Sequence, residues 1–304
     1  MGSCYGLLPG MAEANTINLG TSLEDNKITL DGTTVTVKSD YTWSDYVIGG
    51  TTSDNVTIDN VTISGATITL KKSVYLAAGS GSKATLTING STIKTDGSTG
   101  SYLYGIKAAG TEDASGGQLI IQGDSSSVSG VNGIEGGDTT SGKASENEVT
   151  ISAGTVTLSV GVPDIVGGLT LDGTASNNKV NIKGGKITAA GSIEGGAGTS
   201  ASGNQVNISG GTVKAGTDII GGYSAGSGTS DTASGNSVSI NGDDATAAVT
   251  ANTIIGGQSD STTASGNSVA ISKGTGTGDA PTVTAASIIG GQSLGDNGTN
   301  TVSI

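Results

Sequence analysis

Few residues in this 304-residue chain are of types that do chemistry. It carries 26 acidic residues, 13 basic residues that are all Lys, no His, and a single cysteine, Cys4. Two carboxylate pairs recur at equivalent positions of a repeated unit: Glu135 with Glu194, and Asp164 with Asp218. Carboxylates flanking one bond would do glycoside hydrolysis, one as acid and the other as base or nucleophile. Stacked units advance by roughly 5 Å, so Glu135 and Glu194, two units apart, would lie roughly 10 Å from each other, long even for an inverting pair. Asp164 and Asp218 likewise have one unit between them, and all four read as solvated surface charge. With no His and one Cys the chain lacks a transition-metal donor set. Asp243-Asp244, after Gly242, reads as a turn, and no Gly-Gly pair is followed by the Lys-Ser or Lys-Thr of a phosphate loop. No catalytic residue, metal or cofactor is expected. The net charge of −13 disfavours nucleic acid and anionic membrane surfaces as partners, and no apolar run approaches the roughly 20 residues of a spanning helix.

The elements that would position these side chains follow from a repeat. Ala-Ser-Gly-Asn-x-Val-x-Ile occurs at 201–208, 233–240 and 264–271, with looser copies ending at Ile151 and Ile182 and apolar matches at Ile58, Ile88 and Ile121. Between Leu30 and Ile304 these anchors are 26 to 33 residues apart, the period of a solenoid. Two further short strands follow each anchor. One is of Gly-Thr-Val-Thr type, as at 154–157 and 210–214, and the other of x-Ile-Ile-Gly-Gly type, as at 218–222, 253–257 and 287–291. Gly is abundant (54 residues), Phe is absent, and hydrophobic residues make up 33%, enough for a thin continuous core of Val, Ile, Leu and Ala. The fold expected is all-β: a right-handed single-stranded parallel β-helix of about nine coils of roughly 30 residues, with three short strands per coil.

Strand parity assigns the interior. Val149, Val180, Val206, Val238 and Val269 should form one buried column. Asn147, Asn178, Asn204, Asn236, Asn267 and Asn300 share that face and should stack as a structural ladder of amides. In the Ile-Ile-Gly-Gly strand the first position is always apolar and reads as inward. The second, read as Ile48, Lys107, Glu135, Val166, Glu194, Ile220, Ile255 and Ile289, should point outward. Ile220, Ile255 and Ile289, with Tyr223, Gln258 and Gln292 beyond the Gly-Gly pairs, are therefore the candidate partner-binding residues. Two readings stay open: an exposed apolar stripe forming an interface, or a row covered by the Ser/Thr/Gly-rich connections that follow.

The tandem Ala-Ser-Gly-Asn-Ser-Val-x-Ile, Gly-Gly-Thr-Val and Ile-Ile-Gly-Gly units resemble the passenger domains of bacterial autotransporter adhesins and related haemagglutinin-like repeat exoproteins. The resemblance covers Asn15 to Ile304 and is clearest from Ala144 onward. It implies a non-enzymatic, surface-exposed adhesin or stalk, extracellular or on the bacterial surface, part of a longer exoprotein anchored in the outer membrane. Its partners would be a host or bacterial surface protein or glycan, or further copies of itself. The alternative is a carbohydrate-active β-helix enzyme of the polysaccharide lyase or hydrolase kind. A minor alternative is an ice-binding solenoid, suggested by Thr-x-Thr at 34–36, 67–69, 155–157 and 282–284. Residues 1–14, ending in Ala12-Glu13-Ala14, read as a signal-peptide remnant or expression tail ahead of the repeat domain at 15–304. The anchor strand at Ile304 carries no polar cap, so the natural chain is expected to continue into further coils.

Overall fold

The computed structural model describes the backbone of five short strands before residue 60, namely Ile28–Asp31, Thr34–Val37, Tyr41–Trp43, Gly50–Thr51 and Thr57–Ile58. It then describes residues 60–304 apart from 71–74, 80–82, 97–99, 159–163, 227, 229 and 277. The tail at 1–14 and Ile48 lie outside the described residues.

Every described element is a β-strand. Eight anchor strands stack in parallel: Asn60–Ser64, Thr85–Asn89, Gln118–Gln122, Glu148–Ile151, Lys179–Ile182, Gln205–Ile208, Ser237–Ile240 and Ser268–Ile271. They define a parallel β-solenoid of about seven turns. The expected Val column is present: Val149, Val180, Val206, Val238 and Val269 are successive register partners and are buried.

Two early anchors are corrected. Val37, Ile63 and Ile88 occupy the anchor column, while Ile58 pairs antiparallel with Gly50 and Leu30 antiparallel with Val35. The local cause is plain, since Asn-Val-Thr-Ile occurs twice, at 55–58 and 60–63. The two copies have the same alternation, so only pairing with the next turn chooses between them.

The strands per turn are also redistributed. The Thr-Val-Thr and Ile-Ile-Gly-Gly strands hydrogen-bond into one large sheet, and toward the C-terminus they fuse into single strands, Ala247–Ser259 and Thr282–Ser293. The third parallel sheet is built from segments that read as a corner: Ala114–Ser115, Ala144–Ser145, Thr174–Ser176, Ser200–Ser202, Thr232–Ser234 and Thr263–Ser265. From Thr85 to Ser265 a turn thus holds three to five strands distributed over three sheets. A strand of two or three residues is too short to show an alternation, which is why the pattern missed it.

One backbone feature joins the Ala-Ser strand to the anchor. The residue between Ser and Asn takes a left-handed conformation in each turn, whether it is Gly203, Gly235 or Gly266, or Glu146 or Asn177. Gly235, at φ 63°, has no atom near a would-be Cβ. Gly235→Ala is therefore expected to cost only the left-handed penalty, about 1 kcal/mol. Val206→Asp puts an uncompensated charge between Val180 and Val238 in a thin core and should cost roughly 3 to 5 kcal/mol. Chemical denaturation of both variants checks the contrast; equal effects would contradict the core assignment.

Candidate functional site in the outer bend

The amide ladder exists and uses its full bonding capacity. Asn178 Nδ2 donates to Ala144 O at 2.8 Å and to Asn204 Oδ1 at 3.0 Å. Its Oδ1 accepts from the backbone N–H and the Nδ2 of Asn147, both at 3.0 Å. The same four bonds recur at Asn204, Asn236 and Asn267. An amide has two donors and two strong acceptor sites, so each of these side chains is satisfied without water.

The ladder explains the Gly-Gly pairs. A Cβ on Gly137, Gly168, Gly196, Gly222, Gly257 or Gly291 would collide with the Asn147, Asn178, Asn204, Asn236, Asn267 or Asn300 amide in turn. The preceding glycines, such as Gly136 and Gly167, lie against the backbone of Glu148 and Lys179 in the following anchor strand. The exception supports the rule. In the turn before Asn147 the Asn position is Gly117, and Ile106 stands in the column of Gly137 with its side chain in the space beside Gly117.

Past the ladder, the large sheet carries a second buried face. The first residue of each Ile-Ile-Gly-Gly strand (Ile134, Ile165, Ile193, Ile219, Ile254) belongs to the main core. The second points away from it, as parity requires, yet it is not exposed. Ile220 and Ile255 are 4% and 2% accessible and, with Val166, Ala197 and Tyr223, form a separate small cluster against which Leu169 and Ile289 pack. Of the two readings left open for Ile220, Ile255 and Tyr223, their burial favours the covered row over the open stripe. Residues three positions apart across the Gly-Gly pair fold toward each other and bury the row. Ile289 and Gln258 are half-buried, with Gln258 Nε2 donating to Asp260 Oδ1, and Gln292 is exposed. Glu135 and Glu194 are also corrected, since they are buried in this bend at 4% and 2% rather than solvated, and Ser192 donates its hydroxyl to Glu194. Asp218 accepts from the Thr253 N–H at 3.0 Å; the side chain of Asp164 lies outside the described residues.

Register moves one further residue. Tyr104, not Lys107, is the partner of Glu135, and Lys107 is the partner of Asp138. The sequence alignment slipped because this turn reads Leu103-Tyr104-Gly105-Ile106, with one Gly where the others have two. The result is a cluster that sequence reasoning did not assemble. Tyr102 and Tyr104 stack at 5.8 Å between centroids and 14° between planes, and Lys107 Nζ sits 5.2 Å from the Tyr104 ring centre. The same Nζ contacts Asp138 Oδ2, and the two side chains are 17% and 8% accessible. Desolvation by burial pulls the Lys107 ammonium below its ordinary pKa, against an upward pull from Glu135. Tyr-x-Tyr beside a lone Gly was the only sequence signal. Elsewhere, Asp243 accepts from the Thr275 and Gly276 N–H groups of the following coil, at 2.6 and 2.8 Å. Among the described residues no group of three or more His, Cys, Asp or Glu is placed to hold a metal.

The chain matches no family model, no curated protein and no solved structure. The class supported by the fold is a parallel β-solenoid repeat protein.

Two expectations follow from this geometry. Asn204→Ala takes away the partner of the Asn178 N–H, one of the two partners of Asn178 Nδ2 and the donor to the Ala175 carbonyl, and should cost at least about 3 kcal/mol at about 1 to 3 per orphaned group. Asn300→Ala, at a half-buried position, should cost less than half of that in the same denaturation assay. Ile220→Glu places a carboxylate beside Asp218, where Glu194 instead has Ser192. It should cost roughly 2 to 4 kcal/mol, and an unchanged melting temperature would restore the open-stripe reading.

Proposed function

We propose that this chain is a non-enzymatic stalk or adhesive segment of a bacterial surface exoprotein, of the autotransporter-adhesin passenger kind, acting outside the cell. The observation that carries this reading is axial continuity. The same Asn amide, Gly-Gly pair and Val column repeat from turn to turn, so each added turn lengthens a rigid rod by about 4.8 Å without altering its cross-section. Such a rod suits holding a binding surface away from a cell. On this reading the helix is right-handed, as crossover connections between parallel strands are in about 98% of cases. It has nine coils when Thr34–Val37 and Thr301–Ser303 are counted with the anchor strands. The partner is a surface protein, a glycan or a second copy, and among the candidate residues Gln292 and the half-buried Ile289 and Gln258 are the ones that remain accessible to it.

The carbohydrate-active alternative is favoured by one observation, the gathering of Glu135, Asp138 and Lys107 beside two tyrosines. Their burial and the direct Lys107–Asp138 contact rank it second. The ice-binding alternative is weakened by interruption of the outward Thr columns at Lys94, Lys186 and Lys214. Binding of the immobilised chain to glycan and protein arrays, run beside a reducing-sugar assay on acidic and neutral polysaccharides, tests the proposal. Binding without sugar release is expected; catalytic sugar release overturns it.

A further inference from the structure

We propose that Lys107 and Asp138 are joined by a self-formed amide cross-link, an intramolecular isopeptide bond between adjacent turns of the solenoid, with Glu135 relaying the proton. Four features of the site support this, and none of them depends on the proposed function. Lys107 and Asp138 are direct register partners on neighbouring parallel strands, and the nearest backbone bond, Ala108 N–H to Asp138 O at 2.9 Å, holds the strands together at that point. Lys107 Nζ is already in contact with Oδ2 of the Asp138 carboxylate, whose Cγ it would attack. Both side chains are largely withdrawn from water, which removes the hydration that normally keeps an ammonium and a carboxylate as separate ions and raises the cost of leaving them charged. Finally, Glu135 is a second buried carboxylate on the same strand as Asp138, and its register partner is Tyr104, the residue over whose ring Lys107 Nζ lies.

The chemistry closes without any further reagent. One proton passes from the Lys107 ammonium to the Asp138 carboxylate, giving an amine and a carboxylic acid. Burial favours this neutral pair, consistent with the downward shift of the Lys107 pKa. The Nζ lone pair then attacks Asp138 Cγ. The new N–C bond replaces the C–OH bond, and the second nitrogen proton travels through Glu135 to the departing hydroxyl, which leaves as water. Ammonium plus carboxylate becomes amide plus one water, with no oxidation or reduction. The face of the Tyr104 ring, 5.2 Å from Nζ, screens the amine from solvent while tolerating residual positive charge.

The position of the bond in the fold gives it a purpose. The Asn ladder begins at Asn147, and the turn before it has Gly117 in that place, so the amide stack does not extend across this junction. Lys107 belongs to the turn lacking Asn, and Asp138 to the turn in which the ladder starts. Asn147 still bonds across the junction, accepting from the Gly117 N–H at 2.8 Å and donating to Ala114 O at 2.9 Å, but the amide-to-amide bond of the later junctions is missing. A covalent staple there reinforces the junction where the ladder makes fewest bonds, and it closes a loop of one complete turn.

The test is the intact mass of the denatured chain. The wild-type protein is expected to be lighter than its sequence by one water, and Lys107→Arg and Asp138→Ala should each restore the full mass. Trypsin should leave Thr95–Lys143 uncut at Lys107 and light by the same water. This separates the cross-link from cyclisation at an Asp-Gly such as Asp96-Gly97, after which Lys107 would still be cut. Glu135→Gln, refolded from denaturant, should form the light species at least tenfold more slowly while giving the wild-type circular dichroism spectrum. A wild-type chain of full mass, or a water loss that maps outside Lys107 and Asp138, overturns the proposal. Unimpaired formation in Glu135→Gln overturns the relay assigned to Glu135.

Discussion

At one point in each turn from Asn147 to Asn300, a side-chain amide lies flat against a residue that has no side chain, and the rest of the fold is arranged around that contact. The Asn of the anchor strand uses both donors and both acceptor sites on the backbone and the amides of the turns on either side. Buried amides left half-bonded would be costly, and a fully bonded series is mutually reinforcing along the axis. It can form only if the neighbouring strand comes close enough to enclose it, and the Gly-Gly pair allows that approach. The anchor strand, the Ala-Ser strand and the large sheet meet there, so this contact sets the shape of the turn.

Several compositional features then have one cause. A turn pinned by an amide and two glycines is narrow, and Val, Ile, Leu and Ala fill it without aromatic bulk. The apolar column runs through successive turns as a single cluster, so each turn is stabilised by its neighbours more than by itself. The exchange of Ile106 with Gly117 for Gly137 with Asn147 shows the same volume filled from the opposite strand.

The outer bend is a second consequence. As the chain turns at the glycines, residues on its far side close on one another and form a strip that is buried without belonging to the main core. In the later turns the strip is apolar apart from Glu194, which lies between Val166 and Ile220 in the register. In the earlier turns it holds an amine, two carboxylates and two tyrosines, kept from water by the backbone geometry that buries Ile220 and Ile255 elsewhere. Burial of ionisable groups outside a core is costly unless they are paired or put to use, and this makes the Lys107–Asp138 junction the most chemically distinctive place among the described residues.

The sequence by itself determined what depends on spacing and parity. A period near 30 residues and alternation within each strand implied parallel stacking, and the Val and Asn columns fell into their places because a strand has only two faces. It showed Asn and Gly-Gly in every later repeat, but not that they touch, because they are about ten residues apart and meet only when the turn closes. Pairing between turns decided the rest. It chose Ile63 over Ile58 from two identical tetrapeptides, put Tyr104 rather than Lys107 opposite Glu135, and made strands of the Ala-Ser segments. It also buried an Ile row that parity had turned outward. Parity states which side of a strand a residue occupies. Whether that side meets solvent depends on how the chain bends afterwards, and that is settled by contacts between turns.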